Sequence, residues 1–329
     1  MTSSPASDAH DMPPLVAVIT PVYNGAPYLS ETMECVQAQT YPNIVHIVLD
    51  NASTDETPEI LRRYADVRVP VRVTRNPETL PLSDNWQKAL TLAPPEARWV
   101  RVICADDKMA PDCIAKTAAI GNANANVVVI GCGFQVMEKP QPSSWPQGVT
   151  VLPGREAVRR YFMGEGEIIG PHLMWRTDVM KKRHPFYDLA FHGIDTEAAF
   201  FMLQHGDWGV TTDILGWTRI HDATESHNVM HTRGTHFLDW FRYIERYGRW
   251  AMDPAQFAAH KRAFWRYYLR RLMRWRLAAG GRAKFEHHLR TLREMHAKPS
   301  LLDFLDANTD YFLKRLGLRA PIRAGFPLG

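Results

Sequence analysis

The chain has 329 residues, of which 45% are hydrophobic and 22% charged, with a formal net charge of +4 at pH 7. That is enough apolar material for a sizeable core in one large domain or two smaller ones, and it excludes a disordered chain. The mild charge makes no case for nucleic acid, and four cysteines with no CxxC pair (Cys35, Cys104, Cys113, Cys132) fit packed, reduced thiols better than zinc or disulfides.

The opening segment, "MTSSPASDAHDMPP", has neither a basic stretch nor an apolar one. It is predicted to be a disordered tail over 1–14 and not a signal peptide. No apolar run approaches the ~20 residues of a membrane span. The expected location is therefore cytoplasmic, with a peripheral place on the inner membrane face left open.

"LVAVITPVY" (Leu15–Tyr23) and "IVHIVLD" (Ile44–Asp50) are continuous apolar runs rich in β-branched residues. They read as strands buried on both faces, as in a parallel sheet. Helical spacing lies between them through Leu29, Met33 and Val36. "NASTDET" follows the second strand, and Ser53, Thr54 and Asp55 are placed there as caps of the next helix. "VRVTRN" (Val71–Asn76) is a third strand, "LSDNWQKALTLA" (Leu82–Ala93) a helix, and "WVRVICADD" (Trp99–Asp107) a fourth strand. "PDCIAKTAAIGNA" is a further helix and "NVVVIGCGFQVM" a fifth strand.

Strands alternating with helices over short links predict an α/β, doubly wound, mostly parallel sheet. Ligands of such sheets lie beyond the carboxyl ends of the strands. Those ends carry Pro21–Asn24, Asp50–Asn51, Arg75–Asn76 and Asp106–Asp107, so polar and charged groups converge on one edge.

Adjacent carboxylates at Asp106 and Asp107 repel unless a cation lies near them. A divalent ion bridged to a nucleoside diphosphate would meet that need. The alternative is that one aspartate caps the next helix and the other is solvated. Asp50 is either a turn aspartate or an acceptor for an N–H of a bound base. In "FHGIDTEAAFFML", Asp195 opens a helix, where it reads as a cap with Thr196 and Glu197 in the first turn.

Beyond about residue 236 the chain is helical, aromatic and arginine-rich. Arg262, Arg266, Arg270 and Arg274 recur every four residues beside Trp265, Leu269, Leu272 and Met273. Such a stripe suits an anionic membrane surface, and equally a helix packed on its own domain.

"VAVITPVYNGAPYLSETMECVQAQTYPNIVHIVLDNASTDET", then "RNPE", "NWQKAL" and "ADDKMAPD", resembles the family 2 glycosyltransferases of the GT-A fold. The resemblance runs over about 15–225 and is strongest over 15–115. It implies a metal-dependent, inverting, hexosyltransferase-like enzyme that moves a sugar from a nucleotide-sugar donor to an acceptor hydroxyl. The acceptor would be a glycan or a lipid-linked glycan in surface polysaccharide biosynthesis.

The resemblance implies that Pro21, Tyr23, Asp50 and Arg75 hold the nucleotide. Asp106 would meet the diphosphate, and Asp106, Asp107 and His221 would bind Mn2+ or Mg2+. Asp195 is implied as the catalytic base, with Glu197 in reserve. Arg219 and His227 are weaker candidates for diphosphate contact, and His172 is a candidate for the acceptor cleft. Two departures from the family pattern stand out: Cys104 occupies a position that is often acidic, and Pro81 one that is often glycine.

The implied domains are a nucleotide-sugar-binding α/β half over 15–138, an acceptor-binding and catalytic-base region over 139–235, and a basic, aromatic helical region over 236–329. Two other function classes remain open. A nucleotidyltransferase would share acidic strand ends, but it would carry a glycine-rich basic loop after the first strand, which "TPVYNGAPYL" lacks. A non-catalytic nucleotide-sugar or glycan-binding protein would have no need of Asp195. No nucleic-acid module accompanies the arginine stripe.

Overall fold

The computed structural model describes residues 12–141, 143–221, 232–320 and 325–326, so most of the expected tail over 1–14 lies outside the described residues. In chain order, the first elements are β1 (Val16–Val22), α1 (Leu29–Gln37), β2 (Ile44–Asp50), α2 (Thr57–Arg62), β3 (Val71–Arg75) and α3 (Leu82–Thr91). Next come β4 (Trp99–Val102), β5 (Lys108–Met109), α4 (Cys113–Ala123), β6 (Val127–Val136), β7 (Lys139–Pro140), β8 (Val151–Leu152), α5 (Gly154–Met163) and β9 (Leu173–Arg176). The chain ends with α6 (Thr177–Met180), α7 (Ile194–Leu203), β10 (Asp207–Thr218), α8 (Thr235–Ala251), α9 (Pro254–Leu277), α10 (Arg282–Glu294) and α11 (Leu301–Arg315).

The strands join one sheet in the order β3-β2-β1-β4-β9-β6-β10-β5, with β7 on β6 and β8 on β10. β1 runs parallel to β2 and β4, β2 to β3, and β6 to β10. β9 enters antiparallel between β4 and β6. β1 and β2 are buried along their whole length, which is why their sequences read as unbroken apolar runs. α4 lies close on the sheet because residue 121 is glycine: a Cβ there would sit 2.3 Å from the Trp99 ring. All four cysteines are free thiols, as the composition led one to expect.

The fourth strand is shorter than its sequence suggests. It stops at Val102, and Ile103–Asp107 form a turn closed by the Asp107 amide donating to the Cys104 carbonyl at 3.1 Å. Ile103 keeps the apolar pattern going because it is buried in that turn, its amide donating to Ile19.

The chain divides into two compact units that interleave in sequence. The first holds residues 1–154, 168–189 and 198–219, and the second 155–167, 190–197 and 220–329. Cuts at 139 and 236 do not coincide with them. The first unit contains the sheet. The second is helical, with an aromatic core that includes Phe237, Trp240, Phe264 and Tyr268.

Within the second unit two arginines of the α9 stripe are spent on internal contacts, which fits the alternative of a helix packed on its own domain. Arg266 donates to Asp306 at 2.7 and 2.8 Å and to Asp310 at 3.1 Å, and Arg270 donates to the Ala307 carbonyl at 3.0 Å. Asp310 is buried and also meets Lys314 and Arg319. The acids of α11 draw those two arginines inward, leaving Arg262 and Arg274 exposed. Asp310→Ala would strand four cations around one apolar side chain. Urea unfolding is expected to show a loss of about 3 kcal/mol, and an unchanged midpoint would mean the cluster is not holding α11. No helix among the described residues is long and apolar enough to cross a membrane.

Candidate functional site

In the first unit, parallel pairing brings the expected strand-end residues to one edge. Val22 is opposite Asp50, and Asp50 is opposite Arg75. Asp50 is 1% exposed; its Oδ1 accepts from the Ser53 amide at 2.9 Å and its Oδ2 from Arg75 Nη1. Arg75 also donates to the Ser53 carbonyl at 2.8 Å. The pair is a buried carboxylate backed by a half-exposed guanidinium. Pro21 is buried in β1, while Tyr23 stands 52% exposed beyond it.

The loops at this edge are tightly determined. Ser53 and Asp55 do not act mainly as helix caps, because α2 starts only at Thr57 and its N-cap position makes no side-chain bond. Instead, three consecutive amides donate across to the second loop: Asn24 to Ser53 Oγ, Gly25 to Thr57 Oγ1 and Ala26 to Asp55 Oδ2, each at 2.9 Å. Asp55 Oδ1 does accept from the Thr57 amide at 3.0 Å. Asn24 and Ala52 adopt positive φ, 49° and 59°, which the cross-bonds hold in place. Behind Asp50, buried Asn51 pairs with both backbone groups of Leu80, and Asn76 donates to Asn51 and Asn85. That network fixes the 76–85 segment leading through Pro81 into α3.

The turn after β4 brings Cys104, Asp106 and Asp107 together. Among the described residues, their ligand atoms form a group within 4.8 Å of one another. Thr32 of α1 donates to the carbonyls of Ala105 at 3.0 Å and Asp107 at 2.8 Å. From the other side the Arg219 amide donates to Asp107 Oδ1 at 2.9 Å, and Arg219 Nε to the Asp106 carbonyl at 3.0 Å. The Arg219 guanidinium also meets Glu31 at 3.1 Å and lies 4.4 Å from the Tyr28 ring centroid. It therefore clamps the aspartate turn.

Asp107 is 4% exposed. Burial, and then the neighbouring Asp106, push its carboxyl up to about 7. A cation beside the pair would relieve that cost. Two carboxylates suit a hard divalent ion, and the thiol of Cys104 is the one soft donor, so the set fits Mn2+ or Mg2+ mainly through Asp106 and Asp107.

His172 is not on an open cleft wall. It is buried in the sheet, stacked on Phe134 and paired with Thr218 Oγ1 at 2.8 Å. Burial lowers its pKa to about 3, so it stays neutral.

In the second unit, Asp195 lies in the first turn of α7. The loop before it is seated by one face of α8. Asp239 accepts the amides of His192 at 3.0 Å and Gly193 at 2.8 Å. Tyr243 donates to the Gly193 carbonyl at 2.7 Å, and Phe191 stacks on its ring. Arg246 donates to Glu197 Oε1 at 3.0 Å, and Tyr247 donates to the same atom. Glu197 has no exposed surface. The sequence reading missed this platform; its signal is the row Asp239, Tyr243, Arg246 and Tyr247 at helical spacing along a helix whose other buried positions are mostly apolar. His221 follows Arg219 by two residues and belongs to the second unit, while His227 lies outside the described residues.

Residues 17–183 match the model of the family described as Glycosyl transferase family 2. TuaG of Bacillus subtilis (strain 168), by name a teichuronic acid biosynthesis glycosyltransferase, is 35% identical over 103 residues, 31% of this chain and 40% of that protein. The glycosyltransferase GlyG of Streptococcus pneumoniae serotype 4 (strain ATCC BAA-334 / TIGR4) is 45% identical over 49 residues, 15% of this chain and 16% of that protein. The chain thus matches well under half the length of these relatives. Among solved structures, S. aureus TarS 1-349 in complex with UDP-GlcNAc aligns with TM-score 0.62 at 16% identity, over 84% of this chain and 79% of that one. The mannosyltransferase PcManGT from Pyrobaculum calidifontis, in complex with GDP-Man and Mn2+, aligns with TM-score 0.57 at 18% identity, over 95% and 83%. The fold is accordingly of the GT-A type, with a mostly parallel central sheet.

Proposed function

Because the chain belongs to glycosyl transferase family 2, we propose that it transfers a sugar from a nucleotide-sugar donor to an acceptor hydroxyl, with inversion at the anomeric carbon, during surface-glycan assembly. The carrying observation is the shared edge of the parallel sheet, at which the strands leading to Tyr23, Asp50, Arg75 and the Asp106–Asp107 turn all end. The names of relatives and neighbours add support: UDP-GlcNAc, GDP-Man and Mn2+ for the donor side, and teichuronic acid for the product class.

Tyr23 stacks on the base and Asp50 accepts its N–H, with Arg75 holding the carboxylate in line. Asp106 is the principal metal ligand. Asp107, whose Oδ1 already serves Arg219, keeps the turn in shape and lends its second oxygen. Mn2+ or Mg2+ held there would offset the charge of the departing nucleoside diphosphate. His221 is proposed as a further ligand to that ion or to the diphosphate. Asp195 accepts the proton of the attacking hydroxyl. Glu197 anchors α7 through Arg246 and Tyr247 and is set aside as the base.

The nucleotidyltransferase reading loses ground at Asn24–Ala26. Those amides are already donated to Ser53, Thr57 and Asp55 and are not free to cradle a phosphate.

A panel of UDP- and GDP-sugars tests the proposal. Nucleoside diphosphate should be released with Mn2+ and not with chelator. If no panel member is cleaved, and neither UDP nor GDP binds with Mn2+ by calorimetry, the assignment fails.

A further inference from the structure

Helix α11 is built inside out. Its polar side faces the protein, where Asp306 and Asp310 are gripped by Arg266, and Ala307 and Asp310 are buried. Its outward side carries Leu301, Leu302, Leu305, Phe312 and Leu316, which are 76%, 75%, 55%, 60% and 71% exposed. At 3.6 residues per turn, Leu301, Leu305, Phe312 and Leu316 share a sector of about 60°. An apolar row of this kind on a surface helix, broken between Leu305 and Phe312 by the exposed Asn308 and Thr309, marks a binding face. The last described aromatic, Phe326, is occupied elsewhere, among Trp240, Phe264 and Tyr267.

Charge identifies the occupant. Residues 254–319 hold fifteen Lys and Arg against five Asp and Glu, although the whole chain is only +4. Of those five acids, Glu286 is paired with Arg282, Asp303 with the Ser300 cap, and Asp306 and Asp310 with the cations above. Lys298, just before the helix, and Arg315, at its end, are exposed. A second copy would set the same cations against themselves and be repelled. An anionic lipid surface supplies both apolar depth and negative charge.

We propose that α11 lies in the interface of an anionic phospholipid surface, with Leu301, Leu305, Phe312 and Leu316 at the acyl boundary and Lys298 and Arg315 among the headgroups. The surface lies on α11 and not on α9, whose Arg266 and Arg270 serve as the clamp that holds α11 in place.

Vesicle flotation of the full chain tests this. Binding is expected with phosphatidylcholine carrying about 30% phosphatidylglycerol, and not with phosphatidylcholine alone. About 0.5 M salt should weaken it. The double variant Leu305→Glu/Phe312→Glu should bind about tenfold or more weakly, because it removes buried apolar area and adds like charge. Lys298→Glu/Arg315→Glu should lose about fivefold for each cation removed. All four positions are exposed, so circular dichroism and the unfolding midpoint should be unchanged. The proposal is overturned if wild type does not float on anionic vesicles, or floats equally well in both variants. It is also overturned if sedimentation shows a dimer that Leu305→Glu/Phe312→Glu dissociates while vesicles bind nothing, since a second copy is then the occupant.

Discussion

Asp106→Asn is expected to lower metal-dependent transfer by about 10²–10³-fold, the scale on which one well-placed charge stabilises a transition state. The fold should be untouched, because Asp106 is only partly buried and its carbonyl, not its carboxylate, takes the Arg219 hydrogen bond. Asp107→Asn should behave differently. Asp107 titrates near 7 in the fold against 3.8 when unperturbed, because it is buried beside Asp106. A raised carboxyl gives stability that is fully present below the unfolded value and lost as pH rises through the folded one. Metal-free wild type should therefore weaken between about pH 4 and pH 7, by at most about 4 kcal/mol at 1.4 kcal/mol per pH unit. Asparagine keeps an oxygen for the Arg219 amide and abolishes the titration. Thermal midpoints in chelator should show Asp107→Asn more stable than wild type at pH 8, with the gap closing toward pH 4. Equal midpoints at pH 8 would show that the turn stores no such charge.

Asp195→Asn is expected to cut kcat by about 10²–10⁴-fold, the usual worth of a positioned general base, while donor affinity stays near wild type. Glu197→Gln makes the contrast. Its carboxylate is fully buried and takes hydrogen bonds from Arg246 and Tyr247, so the change should cost about 1–3 kcal/mol of stability and leave most of kcat in the folded fraction. Asp239→Ala should fall between. It removes the acceptor for the His192 and Gly193 amides, so the loop entering α7 loosens and kcat falls with the pH profile of transfer broadened. Stopped-flow transfer and donor titration on the three variants separate these outcomes. If Glu197→Gln abolishes transfer in a well-folded protein while Asp195→Asn does not, the base is Glu197.

Much of this architecture was legible because burial writes itself into composition. β1 and β2 are enclosed on both faces, and their apolar runs announce them nearly residue for residue. The residues at the strand ends were legible for the same reason, since parallel neighbours end together and the first polar residue after each run falls on the common edge. What escaped was whatever depends on partners distant in sequence. Arg219 reaches an aspartate 112 positions earlier, and Asp239 seats a loop 46 and 47 positions before it; nothing local at either residue signals the pairing. The fourth strand was overextended because Ile103 is apolar for the sake of a turn. β9 is only four residues long and has no alternation of its own, so its insertion between β4 and β6 left no periodic trace.

That insertion has a consequence for how the molecule comes into being. During synthesis the ribosome delivers β4 and β6 well before Leu173–Arg176 emerges, so β4 waits unmatched along one side, and β6, whose other neighbour β10 comes later still, waits unmatched along both. A chain halted at residue 138 would keep those raw borders for good and would be prone to stick to its own kind. The sheet is closed by material from its second half, and the first 138 residues are not a part that can be lifted out and expected to stand alone.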